Sequence, residues 1–260
     1  MYHLKSVTLR SEIIEEAYPF NLPLIKNFKG FNLRKPITIL VGENGSGKST
    51  LLEALAMNIG SILIGGEHLD DDADLKPAGD LGKKLKLSWR IKTRTGFFLR
   101  ADDFLNYTKR LAEIKRESQE KIKEIKSRDK FSLEVLPYAS TLYDLKNLYG
   151  DGLEFRSHGE SFLDLFQSRF RPNGLYLLDE PEAPLSPLKQ LSLISMLMEM
   201  VKENSQFIIA THSPILMALP DAEIFCLDNG EMKLVDYQEV EHVRLTKSFL
   251  EDPERYLRHL

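Results

Sequence analysis

The sequence predicts an α/β fold: a mixed β-sheet covered by helices and carrying a helical insert. Three observations lead there. Short apolar runs recur at residues 37–41 (ITILV), 175–179 (LYLLD) and 207–211 (FIIAT), the mark of buried parallel strands. Stretches of helical periodicity alternate with them, as in a sheet packed between helices. A glycine-rich turn joins the first run to the first long helix, at residues 49–63 (STLLEALAMNIGSIL).

The remaining elements follow in order. Residues 4–10 (LKSVTLR) alternate like a strand. Residues 66–82 are acidic and contain glycine, which predicts a loop. LKLSWRIKT and GFFLR flank Arg94-Thr95 and resemble a strand pair. From Phe104 to Lys130 the chain becomes rich in lysine and glutamate, with a thin apolar stripe of Leu111, Ile114, Ile122 and Ile125. Glu117 and Lys121 sit four apart, a helix-supporting pair. The insert is read as residues 104–160 of a single domain spanning 1–260. Its slight lysine and arginine excess reads as a solvated face. A helix is expected at 188–204 (LKQLSLISMLMEMVKEN), a hairpin around Asn229-Gly230 (EIFCLD and EMKLVDY), and a mostly helical tail from Glu239.

Composition narrows the classes of function. The chain is 42% hydrophobic and 28% charged, ordinary for a globular protein with a buried core. A formal net charge of −4 gives no global basic excess for nucleic acid, so any such contact must come from a local patch. The single cysteine, Cys226, allows no intrachain disulfide and no cysteine zinc site, and a reducing cytoplasm is the expected compartment. The start, MYHLKSVTLR, lacks the pattern of a signal peptide. No apolar run is long enough for a membrane-spanning helix.

Residues 42–49 fit G-x-x-x-x-G-K-[ST] without a gap, between a predicted strand and a predicted helix. Glycines let the backbone curl until successive N–H groups face phosphate oxygens, and the helix start adds partial positive charge. Gly42, Glu43, Asn44, Gly45, Ser46, Gly47, Lys48, Ser49 and Thr50 are therefore the candidate residues for ATP. Lys48 is placed to bridge the β- and γ-phosphates, Ser49 to ligand Mg²⁺ and Thr50 to reach the α-phosphate.

Such a loop needs a second strand ending in a carboxylate. G-L-Y-L-L-D-E supplies Asp179 for Mg²⁺, with Glu180 next to it to orient or deprotonate a water. The following strand ends in Thr211-His212. His212 should therefore project at the same sheet edge and reach a γ-phosphate. Ser157-His158-Gly159-Glu160-Ser161 contains the residue types of a hydrolase nucleophile turn, but a G-x-S-x-G elbow around Ser161 would need glycine where Leu163 stands. Two readings stay open: a helix cap, or half of a nucleotide site.

The phosphate loop, L-L-D-E-P-E and T-H-S-P, in that order and with a helical insert between the first two, resemble the ABC-class P-loop ATPases over roughly residues 1–230. Among these the likeness is to soluble repair, OLD-like and SMC-like ATPases. The resemblance implies a P-loop NTPase of ABC-ATPase type that uses ATP and Mg²⁺ and hydrolyses ATP with Glu180, His212 and Lys48. It implies a head-to-tail, ATP-dependent homodimer, in which the signature motif of one chain closes over nucleotide held by the other. Here Ser157, Gly159 and Glu160 occupy the signature's place. A protein or nucleic-acid partner is the expected target of such a switch. The alternatives are the energy subunit of a membrane transporter or a slow-turnover ATP-dependent clamp. Ala183-Pro184-Leu185-Ser186 matches the family's D-loop without its usual aspartate. The family's glutamine before the insert is missing, and Asp102 or Asp103 stands in that stretch. Tyr18, Phe20, Phe28 and Phe31 precede the phosphate loop as candidates to stack on adenine.

Overall fold

The structure is a computed structural model that describes residues 3–64, 75–149 and 158–258. Its main sheet holds β3 (Ile37–Val41), β4 (Ile62–Ile64), β6 (Phe97–Arg100), β7 (Leu175–Asp179), β8 (Gln206–Ala210), β9 (Ala222–Asp228) and β10 (Glu231–Val235). The spatial order is β10-β9-β3-β8-β7-β6-β4. Every pairing is parallel except the β9–β10 hairpin, which turns at Asn229-Gly230 as the sequence predicts. The sheet is mixed, as expected. A smaller antiparallel sheet joins β1 (Leu4–Leu9), β2 (Phe31–Asn32) and β5 (Leu85–Trp89) in the order β2-β1-β5.

Both faces of the central strands β3, β7 and β8 are buried, which is why they read as nearly continuous apolar runs. With a side-chain period of two, Leu40 faces one way, with Leu177 and Ile208. There it meets α2 (Lys48–Ile59) through Leu51, Leu52 and Leu55, and beyond that the small sheet through Leu4 and Val7. Ile37, Ile39 and Val41 face the other way, with Tyr176 and Phe207, against α6 (His158–Arg169), α7 (Pro187–Lys202) and α8 (Pro214–Met217). Phe162, Phe166 and Phe170 recur at helical spacing along and just after α6 and stack edge-on or face-on with Phe97, Tyr176 and one another. This aromatic seam fixes α6 on the sheet.

The insert begins with α4 (Ala101–Arg128), a 28-residue helix, roughly 42 Å long at 1.5 Å per residue. The chain returns through α5 (Leu136–Tyr149), which packs along α4. Leu111, Ile114, Ile122 and Ile125 are half-buried, as a thin stripe requires. Lys121 makes an ion pair with Glu124, at 2.9 Å, one turn further along the helix, whereas the expected partner Glu117 lies one turn before it. Among the described residues no helix is long and apolar enough to cross a membrane.

Two expectations are corrected. LKLSWRIKT and GFFLR do not pair: β5 enters the small sheet and β6 the main one. Gly96 makes the separation possible. At φ +130° its backbone crosses so close to Leu175 that a Cβ would lie 1.8 Å from the Leu175 carbonyl oxygen. Part of the predicted loop at 66–82 lies outside the described residues, but its end is helical, within α3 (Lys76–Lys84). Gly79 and Gly82 look like breakers in sequence. In the fold they let α3 press against α2, with Gly82 facing the Ala54 carbonyl oxygen at 2.8 Å from an ideal Cβ. The C-terminal segment adds α9 (Glu241–Glu251) and α10 (Pro253–Leu257), as expected for a helical tail. Short α1 (Pro23–Lys26) precedes β2.

Candidate functional site

β8 lies between β3 and β7, so three strand ends meet at one edge of the sheet. Backbone bonds stitch them together: Thr211 N–H donates to the Leu40 carbonyl at 3.2 Å, and Glu180 N–H to the Ala210 carbonyl at 2.9 Å. The phosphate loop leaves β3 at this edge, the carboxylates leave β7, and Thr211-His212 leaves β8.

The loop is built by backbone conformations that glycine adopts readily. Gly42, Gly45 and Gly47 have φ of +148°, +80° and +95°. A Cβ at Gly42 would strike the Leu227 carbonyl oxygen at 2.5 Å, whereas one at Gly45 would meet nothing within 4 Å, so the loop's outer side is open. Gly47 starts α2 without a side-chain cap, which leaves the first amides of the helix directed into the loop. Lys48 is only 5% exposed, and its ammonium donates to the carbonyl oxygens of Gly42 at 2.8 Å and Glu43 at 2.9 Å. Burial lowers its pKa, opposed by the charges of Glu180, Asp179 and other nearby carboxylates. Ser46 Oγ is buried with no hydrogen-bond partner among the described residues.

Ser49 Oγ donates to Asp179 Oδ1 at 3.1 Å. Asp179 is almost fully buried, and desolvation raises its pKa to about 7 against the opposing Ser49 hydrogen bond. Glu180 follows with φ +49°, a left-handed conformation that is uncommon outside glycine and asparagine. Its side chain is half exposed, and Oε1 stands 3.7 Å from His212 Nε2. His212 Nε2 is itself buried without a hydrogen bond among the described residues. Its pKa is lowered by burial first and by the Lys48 charge second.

Sequence reading missed two residues here. Glu182, the second acid of D-E-P-E, turns inward. Its Oε1 accepts from Thr211 Oγ1 at 2.6 Å, His212 N–H at 2.7 Å and Ser213 N–H at 3.1 Å. One carboxylate oxygen thus holds the T-H-S turn and sets where His212 stands. Burial raises the Glu182 pKa against those same bonds. The other residue is His242 of α9, whose Nε2 lies 3.3 Å from His212 Nδ1. Nothing local in E-V-E-H-V marks that contact; only the tertiary fold creates it.

Gly159 and Glu160 lie in the first turn of α6. Ser157 lies outside the described residues. Gly159 packs against its own chain: a Cβ there would meet Lys189 Cδ at 2.8 Å and the Pro184 carbonyl oxygen at 2.9 Å. Of the four aromatic candidates, Phe20, Phe28 and Phe31 are buried in the core, while Tyr18 is 54% exposed and its hydroxyl meets Thr50 Oγ1 at 3.1 Å. Asp103 is engaged by Arg100, through Nε at 2.7 Å and an Nη at 3.1 Å. Arg100 also reaches Glu53 at 3.5 Å and pairs in register with Asp179 across the β6–β7 ladder. A guanidinium therefore stands at the strand end from which the family's glutamine is missing.

The donor set fits a nucleotide with its cation. The loop offers uncapped amides, an ammonium and an open outer side for phosphate. Ser49 and the buried Asp179 offer two oxygens for a divalent ion, whose charge would draw that carboxylate back to its ionised form.

Comparison with known proteins agrees. A family model described as an AAA domain matches residues 20–63. A second, described as an AAA domain and candidate AbiEii toxin of a type IV TA system, matches residues 68–218, more than half of the chain. The chain is 28% identical over 204 residues to the ABC-type transporter oblD of Aspergillus clavatus, covering 76% of this chain and 13% of that protein. It is 25% identical over 201 residues to the ABC multidrug transporter SNQ2 of Candida glabrata, covering 74% and 12%. The chain thus spans about an eighth of the length of these relatives. Among solved structures, an inward-facing ABC transporter assigned to the metal-chelate type superposes with a TM-score of 0.50 at 18% identity, over 96% of this chain and 90% of that one.

Proposed function

The chain belongs to the AAA-domain family whose model matches residues 68–218 and has the fold of an ABC-class P-loop ATPase; from that premise we propose that it binds ATP with Mg²⁺ and hydrolyses it at a site shared by two head-to-tail copies. ATP-driven pairing would switch contact with a protein or nucleic-acid partner. The observation that carries this reading is the 3.1 Å meeting of Ser49 Oγ and Asp179 Oδ1 at the sheet edge where Glu180 and His212 also stand.

In this reading the amides of residues 42–50 and the Lys48 ammonium cradle the phosphates, Lys48 exchanging its two loop carbonyls for phosphate oxygens. Tyr18 stacks on adenine. Ser49 and Asp179 hold Mg²⁺, which when bound neutralises charge on the β- and γ-phosphate oxygens. Glu180 takes the proton of the attacking water as the terminal phosphoryl group leaves the β-phosphate oxygen. Its left-handed backbone supports a positional demand at that residue. Glu182 holds the T-H-S turn so that His212 Nε2 faces the terminal phosphate. Ser157, Gly159 and Glu160 of a second copy close the site. A cytoplasmic location belongs to the same proposal.

Glu180→Gln tests it. ATP binding should persist while turnover falls about a hundredfold or more. A mutant rate close to wild type would move the base elsewhere.

A second reading, the energy subunit of a transporter, draws on the similarity to oblD and SNQ2. The lysine-rich α4 and Arg100 at the place of the missing glutamine favour the first.

A further inference from the structure

We propose that His242 is a positioning residue for His212: it donates from Nε2 to His212 Nδ1 and holds His212 in the tautomer with its proton on Nε2. The two nitrogens stand 3.3 Å apart, and with both rings neutral one must donate and the other accept. The opposite side of His212 decides which. Nε2 is buried, has no hydrogen-bond partner among the described residues and lies 3.7 Å from Glu180 Oε1. With the proton on Nδ1, the Nε2 lone pair would point at a carboxylate. With the proton on Nε2, an N–H bond dipole points there instead. Burial and the neighbouring Lys48 charge disfavour the doubly protonated ring, so the tautomer matters.

His242 is held firmly in place. Val240 and Val243, on either side of it, are buried in the core with α8. Tyr237 donates its hydroxyl to the Pro214 carbonyl at 3.1 Å, which anchors the start of this segment to the T-H-S-P loop. The C-terminal segment therefore forms one wall of the site and fixes its proton arrangement.

The consequence rests on the function proposed above. Only the Nε2–H tautomer of His212 can donate to a terminal phosphate oxygen while neutral. The assignment itself is testable without nucleotide. The experiment is ¹⁵N-histidine NMR of the folded, nucleotide-free protein, with the His212 signals assigned by loss in His212→Asn. Wild type should show Nε2 protonated and Nδ1 bare. His242→Gln, whose amide still donates, should keep that pattern. His242→Glu, which only accepts, should put a proton on Nδ1. His242→Phe should give a mixture, and turnover should fall roughly tenfold with KM little changed. A wild-type Nδ1–H tautomer, or a His212 pattern that is the same in the Gln, Glu and Phe variants, overturns the proposal. A wild type with the Nε2–H tautomer that fails to hydrolyse ATP would contradict the proposed function and still support the role of His242.

Discussion

Ser49 Oγ and Asp179 Oδ1 meet at 3.1 Å across 130 positions of sequence, joining the first turn of α2 to the end of β7. The bond offsets only part of the cost of burying the Asp179 carboxylate, whose pKa is raised to about 7. The folded value lies above the unfolded one, near 3.9. Between about pH 4 and pH 7 the folded state therefore holds a proton that the unfolded state has released, and stability declines as pH rises through that window. Asp179→Asn should raise the melting temperature of nucleotide-free protein at pH 8, less so at pH 5, and leave it nearly unchanged below about pH 4. At roughly 2–4 °C per kcal/mol for a chain of this size, the pH 8 shift should be several degrees. Equal melting temperatures at pH 8 would contradict a buried, cation-free carboxylate.

In the proposed reading Lys48 has two roles. It holds the Gly42 and Glu43 carbonyls, and it faces the space where phosphate oxygens would sit. Lys48→Ala should abolish ATP binding in calorimetry without unfolding the domain. It should also speed hydrogen exchange of the loop amides, because their carbonyl anchor is gone. Unchanged ATP affinity in the folded variant would remove the loop from the account.

Glu182 is the keystone of the T-H-S turn. Glu182→Ala leaves the Thr211 hydroxyl and the His212 and Ser213 amides without their acceptor and should cost about 2–5 kcal/mol in a denaturant titration. Glu182→Gln keeps an oxygen in place and should cost less. A loss under about 0.5 kcal/mol for the alanine variant, typical of a surface change, would show that the turn stands without it.

The fold was legible wherever a local pattern carried it. β3, β7 and β8 announce themselves as apolar runs because both faces of their sheet are covered. The glycine turn after β3 and the placing of Asp179 at the end of β7 were legible because glycine spacing and a strand-ending acid are local patterns. Failures came where partners are distant in the chain. β5 and β6 part because Gly96 crosses Leu175, and α3 reads as a loop in sequence because its glycines serve contact with α2 rather than a turn. The contacts of Glu182 and His242 with the T-H-S turn span about thirty positions and leave no spacing rule to read.

In the proposed function the site is divided between two copies, with nucleotide between the phosphate loop of one and the signature stretch of the other. Gly159 packs against Pro184 and Lys189 of its own chain, so a bulky residue there would disturb the protomer as well as the pairing. Ser157→Glu is the better block, since it sets a negative charge against the terminal phosphate. The decisive measurement mixes Lys48→Ala with Ser157→Glu, each inactive alone, and follows ATP hydrolysis. With random pairing, half of the dimers carry one intact composite site, and activity should return to roughly a quarter of wild type if one site suffices. A mixture that stays inactive while light scattering and tagged pull-down show mixed dimers, in a protein where one intact site is known to be enough, would contradict the claim.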